Sequence, residues 1–189
     1  MEDERPVDPL THAHLSRFGS IVHTFARVEY LMQATMGRII RLSGGNSLTV
    51  DTVVLITKPM TYSQKRDALL SLMEAFKLSE PAKTEITTLF NAAHNHNALR
   101  NHVAHALWRR GTRPESIKPA FLDLRQGKGR IGGYEDEDRD YTLEELSEIA
   151  DKLLVTRSAI IQYLKRFDET HSWQETPVEP DANSTTQAD

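Results

Sequence analysis

The sequence predicts an all-α protein, a bundle of four to five helices with a small β-hairpin inserted before the last helix. Apolar residues recur at helical spacing over several long stretches of the chain. Two of these stretches begin with Thr-x-x-Gln or Thr-x-x-Glu, a pattern typical of capping boxes at helix starts. Between residues 111 and 140 the helical period is lost and glycines recur, which indicates turns and short strands.

The first helix is predicted from Asp8 to Ser43. Its apolar residues, among them Phe18 and Phe25, describe one face. The glycines of "SGGN" end this helix, because glycine readily adopts the left-handed turn after a helix end. A helix of this length spans about 50 Å, more than one small domain needs, so we expect it to pack against a second copy.

The next two elements are short. Residues 49–57 fit a helix or a strand, because valine and isoleucine favour both. Pro59 then penalises helical geometry in the residue before it. Thr61 and Gln64 form a capping box that opens the third helix, which extends to about Lys77.

The fourth helix is predicted to begin at Ser79 and Pro81 and to extend to about Arg109. Residues 111–140 follow as a hairpin with an acidic loop, in which "QGKG" separates two candidate strands. A second capping box, Thr142 with Glu145, opens the last helix. The helical domain is therefore expected to cover residues 8–170.

Composition limits the class of protein. A chain of 189 residues with 39% hydrophobic side chains suits one domain, and no apolar run is long enough to span a membrane. The net charge of −4 argues against a general nucleic-acid coat. The acidic amino terminus is no secretory signal, so we expect a cytoplasmic protein. Residues 171–189 contain acidic residues without lysine or arginine, which predicts a disordered tail.

The fourth helix carries a polar cluster within "NALRNHVAHALW". At about 100° per residue, Asn97 and Arg100 fall inside the apolar stripe that begins at Ile86. Three more polar residues line one edge of the stripe: His94, Asn101 and His105. Apolar residues are predicted to close the stripe, while His102 points away. The closing residues are Ala104, Leu107 and Trp108.

A buried arginine needs a partner, because an unpaired charge in a packed face is costly. Glu29 interrupts the apolar face of the first helix and is one candidate. A Glu29–Arg100 ion pair would make the cluster structural. A phosphate group is the other candidate partner, and the sequence leaves both interpretations open.

The residue types also suit chemistry on RNA. A histidine titrates near neutral pH and can take a proton from a hydroxyl, while an arginine can hold a phosphate and stabilise its developing charge. These are the parts needed to cleave RNA through its own 2′-hydroxyl without a metal. His94 and His105 are about 16 Å apart along one helix, too far to share an ion, so no metal and no cofactor are expected.

"RNHVAH", from Arg100 to His105, resembles the Arg-x4–6-His signature of HEPN domains, with Asn101 as the polar residue after the arginine. "LRNHVAHALW" and "FARVEYLM" together are similar to the stand-alone HEPN-like proteins of bacteria and phage. The resemblance covers roughly Leu10 to Phe167. Toxins of this family often carry a tyrosine two residues after the histidine, where this chain has Leu107.

The resemblance implies an all-α bundle that forms a homodimer and often cleaves RNA without a metal. It makes Arg100 and His105 catalytic, with Asn101 as a third member of the site. Glu29, Asn97 and His94 would bind substrate or support the site. It further implies a defence or toxin-related role with an antitoxin partner. The alternative is a non-catalytic HEPN-like module that binds RNA, a nucleotide or a protein.

Overall fold

The computed structural model describes residues 9–42, 50–123, 130–132 and 140–170. The predicted acidic tail, the turn at 43–49, "QGKG" and most of the acidic loop lie outside these residues. The described chain is mainly helical, as predicted, with six helices and a small antiparallel sheet. The helices are α1 (His12–Leu42), α2 (Val50–Thr57), α3 (Tyr62–Ala75), α4 (Glu80–His94), α5 (Asn97–His105) and α6 (Leu143–Thr170).

Helix α1 is the centre of the bundle and contacts each of the other five helices. Its inner face buries Phe18, Ile21, Phe25, Val28 and Met32, which recur every three or four residues. The opposing face of α6 contributes a second apolar series to the same core. No helix in the described ranges combines the length and the apolar character that crossing a membrane requires.

The predicted helix starts are present. Thr61 and Gln64 form the reciprocal capping box of α3, in which each side chain accepts a hydrogen bond from the backbone of the other. Thr142 and Glu145 do the same at the start of α6. Residues 50–57, for which helix and strand were both open, form the helix α2.

The predicted fourth helix is wrong in two places. A turn at Asn95 and His96 divides it into α4 and α5, and α5 ends at His105. The new helix buries Leu99 and His102, although His102 was predicted to point outward. The break has therefore turned the second half by roughly half a turn relative to one continuous helix. Consequently Ala104, expected in the core, is exposed.

The sheet is larger than the predicted hairpin, because it begins inside the expected helix. Its strands are β1 (Leu107–Arg110), β2 (Ser116–Asp123), β3 (Arg130–Gly132) and β4 (Tyr141–Thr142). Strand β2 pairs antiparallel with the other three strands. Trp108 still packs inward, with its ring centroid 4.6 Å from that of Phe18, but Leu107 is 72% exposed rather than buried.

A polar network, which we call the Asp140 network, joins the sheet to α6. The buried Asp140 Oδ2 accepts hydrogen bonds from Thr112 N and Oγ1, Arg113 N and Ser116 Oγ. The Arg113 guanidinium donates to Glu145 Oε1 at 2.8 Å and Oε2 at 2.6 Å. A glycine is required at 111, because an added Cβ would lie 2.1 Å from Ser116 Oγ.

The network holds both of its carboxylates in the charged form. Burial alone would raise the pKa of Asp140, but the hydrogen bonds from Thr112, Arg113 and Ser116 outweigh burial and lower it to about 2. The side-chain hydrogen bond from Arg113, with that from the Thr142 backbone, lowers the pKa of Glu145 to about 2. Both carboxylates are therefore charged in the folded protein at neutral pH.

Candidate functional site

The break between α4 and α5 decides where the polar cluster lies. Because α5 presents Leu99 and His102 to the core, its opposite side carries the predicted polar residues and faces outward. That side opens onto a cavity of about 570 Å³, a size typical of small-ligand sites. Five of the six predicted site residues line it: Glu29, Asn97, Arg100, Asn101 and His105. The cluster is therefore a cavity wall rather than part of the core.

Glu29 is the partner of Arg100, as the structural interpretation predicted. Glu29 Oε1 accepts a hydrogen bond from Arg100 Nη2 at 2.6 Å, and Oε2 accepts one from Lys65 Nζ at 3.2 Å. The guanidinium carbon of Arg100 also lies 4.8 Å from the centre of the Phe25 ring, a cation–π contact. These contacts fix Arg100 at the cavity wall, with its side chain 23% exposed.

Lys58 and Lys65 are site residues that the sequence did not reveal. Lys65 is buried, with 7% of its surface exposed, and Lys58 is exposed at the rim. With Arg100 they set three fixed cations against the single carboxylate of Glu29. A signal for Lys65 was present, because it lies on the same face of α3 as the buried Tyr62 and Leu69. A charged residue within an apolar face needs a partner, and this reasoning, which was used for Arg100, would also have identified Lys65.

Tyr62 and His94 form the layer behind the cavity. The Tyr62 hydroxyl donates to the carbonyl oxygen of Phe90 at 2.8 Å, and burial, assisted by Glu29, raises the pKa of Tyr62. The His94 ring stacks on Tyr62 with centroids 5.9 Å apart. His94 does not line the cavity, so of the six predicted site residues it alone stands apart from the others. Its contact is with the ring of a lining residue.

Several donors of the cavity have no acceptor within the described residues. Arg100 uses only Nη2, and the side chains of Lys58, Asn101 and His105 make no hydrogen bond to the described part of the chain. One acceptor, Asn97 Oδ1, is also buried without a partner there. A concave surface with spare donors and excess positive charge is suited to an anion that carries several acceptor oxygens.

The described residues contain no group of three or more metal-ligating side chains that could hold an ion. The polar side chains that line the cavity include an arginine, two lysines, two amides and one imidazole. Comparisons of the chain with protein-family models, with curated proteins and with solved structures each find no match.

Proposed function

We propose that this chain is a metal-independent endoribonuclease of the HEPN kind, cytoplasmic and homodimeric, with a defence or toxin-related role and an antitoxin partner. The observation that carries the proposal is the convergence of Arg100, Asn101 and His105 on one cavity with Lys58 and Lys65. The Arg-x4-His resemblance supports it, because its two defining residues face the same space. Lys58, Asn101 and His105 are exposed, which supports access by a polymer.

In the proposed reaction an RNA phosphate binds the cations of the cavity. Arg100 shares its guanidinium between Glu29 and the phosphate, because only Nη2 is engaged by the carboxylate. His105 takes the proton from the ribose 2′-hydroxyl, whose oxygen attacks the phosphorus. The bond to the 5′-oxygen breaks, and this oxygen takes a proton from water. The products are a 2′,3′-cyclic phosphate and a 5′-hydroxyl.

The other residues have supporting parts in this proposal. Lys65 and Arg100 stabilise the charge that develops on the phosphate oxygens. Asn101 lies one turn before His105 on α5 and positions the imidazole or donates to the phosphate. His94 holds the Tyr62 ring that forms the cavity floor. Glu29 keeps the guanidinium in place before substrate binds.

The test is incubation of the purified protein with mixed RNA in EDTA, followed by analysis of the new 3′ ends. We expect cleavage that leaves 2′,3′-cyclic phosphates, because the nucleophile belongs to the substrate. His105→Ala removes cleavage while the protein stays folded and still binds RNA. His12→Ala is the matched control, since His12 is exposed outside the cavity. Activity that needs a divalent metal would contradict the proposal.

A second candidate is a non-catalytic module that binds RNA or a nucleotide. It is favoured by the Glu29–Arg100 ion pair, because a guanidinium held at 2.6 Å by a carboxylate offers less of its charge to a transition state. In that case the wild type binds RNA in a salt-dependent manner and leaves it intact. Lys58→Ala would then weaken binding, with Lys77→Ala, an exposed lysine away from the cavity, as the control.

A further inference from the structure

Helix α1 has a second apolar face, which is exposed and lies about 120° around the helix from its buried one. Leu15 and Tyr30 are each 50% exposed, and Val22 is 37% exposed. Gly19 and Ala26 lie between them, and a Cβ added at Gly19 would meet nothing within 4 Å. The five residues fall within about 80° on a helical wheel, and we call them the α1 stripe.

The same face of α1 is covered by α2 farther along. Gln33 Nε2 donates to Thr57 Oγ1 at 2.7 Å, and a Cβ at Gly37 would lie 3.4 Å from the side chain of Val50. Helix α2 therefore runs back along α1 and ends where the stripe begins. Its last turns carry Leu55 and Ile56, which are 69% and 59% exposed. The Gln33–Thr57 hydrogen bond places these two residues near the Tyr30 end of the stripe, and the stripe and these two residues are together called the α1–α2 surface.

We propose that this surface binds a second copy of the chain, with the two α1 helices antiparallel. Four residues of the stripe are symmetric about the point between Val22 and His23, and Val22 then lies beside His23 of the second copy. A twofold axis there places Leu15 against Tyr30 of the second copy, and Gly19 against Ala26 of the second copy. Large side chains then meet large ones, while the small residues let the helices approach closely. Such self-complementarity is what a twofold interface requires.

The area is sufficient for this occupant. Five large side chains contribute to this area, and their exposed parts amount to roughly 500 Å² per copy: Leu15, Val22, Tyr30, Leu55 and Ile56. A dimer that covers them completely buries about 1,000 Å² from these residues alone, which is the lower bound for a specific interface. This surface would be the interface of the homodimer that the proposed function includes. The dimer can be tested independently of RNA cleavage, because mass and cross-linking are measured without RNA.

The first test is the mass of the full chain in solution at tens of micromolar. We expect a mass twice the 21.5 kDa of the chain, and a twofold fall in mass for Val22→Asp with unchanged helical circular dichroism. Val155→Asp is the matched control, because Val155 is 69% exposed on α6 outside this surface, and this variant stays dimeric. A monomeric wild type, or a Val22→Asp variant that stays dimeric, would overturn the inference.

The second test uses the absence of native cysteine from the sequence. Val22→Cys, close to the axis, is expected to form a disulfide with its own copy under oxidising conditions. Leu15→Cys alone is not, whereas an equimolar mixture of Leu15→Cys and Tyr30→Cys gives a cross-linked heterodimer. Cross-linking of Leu15→Cys to itself would show a parallel pair and refute the register. If the full chain is a monomer and dimerises only after removal of residues 171–189, those residues rather than a second copy occupy the stripe.

Discussion

The Asp140 network and the α5 cavity are both clusters of charged and polar groups beside the core, but they differ in how their donors are used. In the network, Asp140 Oδ2 accepts hydrogen bonds from four donors. The Glu145 carboxylate accepts hydrogen bonds from both terminal nitrogens, Nη1 and Nη2, of Arg113. In the cavity, Arg100 gives one nitrogen to Glu29, and Lys58, Asn101 and His105 have no acceptor within the described residues.

The difference separates a cluster that holds the fold from one that is suited to a ligand. Unsatisfied donors beside an open cavity favour an incoming anion, and their cost is small because water reaches them. The network has no such surplus of donors. Its unpartnered buried atom is the acceptor Asp140 Oδ1, and the charged carboxylates of Asp140 and Glu145 would repel an anion. We therefore expect substitutions in the cavity to change function, and substitutions in the network to change stability.

The largest expected effect is on activity. His105→Ala should reduce RNA cleavage about 100-fold or more, because it removes the general base of the proposed reaction. Its melting temperature should match that of the wild type, since His105 is exposed. The rate is measured under single-turnover conditions with His12→Ala in parallel. Full cleavage by a folded His105→Ala variant would remove the distinction between the two clusters.

The next largest effect is on stability in the network. Asp140→Ala should lower the free energy of unfolding by about 2–3 kcal/mol, because it leaves several donors at a buried position without their acceptor. Urea unfolding followed by circular dichroism measures the change, with the neighbouring exposed Glu144→Ala as control. RNA cleavage per folded molecule should be unchanged. A stable Asp140→Ala variant without activity would reverse the assignment of the clusters.

Arg100→Ala should be less destabilising, by about 1–2 kcal/mol rather than the larger cost of breaking a fully buried pair. The Arg100 and Glu29 side chains are 23% and 22% exposed, and Glu29 keeps its contact with Lys65. Cleavage should nevertheless be lost. Arg100→Lys tests the guanidinium, because it retains the charge without the planar fork. Wild-type cleavage by Arg100→Lys would mean that charge alone is sufficient.

The smallest effect is a graded loss of stability in acid. The pKa values of Asp140 and Glu145 are about 2 in the folded state, below those of ordinary carboxyl groups in an unfolded chain. Their stabilisation is therefore complete above about pH 5 and is lost progressively as the pH falls towards 2. Melting temperatures between pH 5 and pH 2 measure it. Asp140→Asn should show a shallower decline, and a slope equal to that of the wild type would contradict the pKa of Asp140.

Features set by neighbouring residues could be predicted from the sequence. The capping boxes Thr61–Gln64 and Thr142–Glu145 each depend on two residues three positions apart. The Glu29–Arg100 ion pair was one of the two partners that the sequence left open for Arg100, since each charge interrupts an apolar face and needs a partner. The gathering of most site residues on one side of α5 also followed from helical spacing.

Features set by distant contacts were missed. The turn at Asn95 and His96 contains neither glycine nor proline, and its single asparagine gives only a weak signal against helix. "LWRR" continues a helical pattern, yet it becomes β1 because its backbone pairs with β2. Within α5 the predicted wheel placed Asn97, Arg100, Asn101 and His105 on one side, and these four residues line one cavity. It assigned that side to the core, because the half-turn introduced by the break is not visible in the spacing.

The connection between α5 and β1 is a single residue. His105 is the last residue of the helix, Leu107 is the first of β1, and Ala106 alone joins them. The proposed base is thus held between a helix packed on α1 and a strand hydrogen-bonded to β2. The backbone of His105 is fixed at both sides before any substrate arrives, so no main-chain entropy is lost when the base is oriented. Lengthening this one-residue joint with glycines would loosen the imidazole while leaving every side chain of the cavity in the protein.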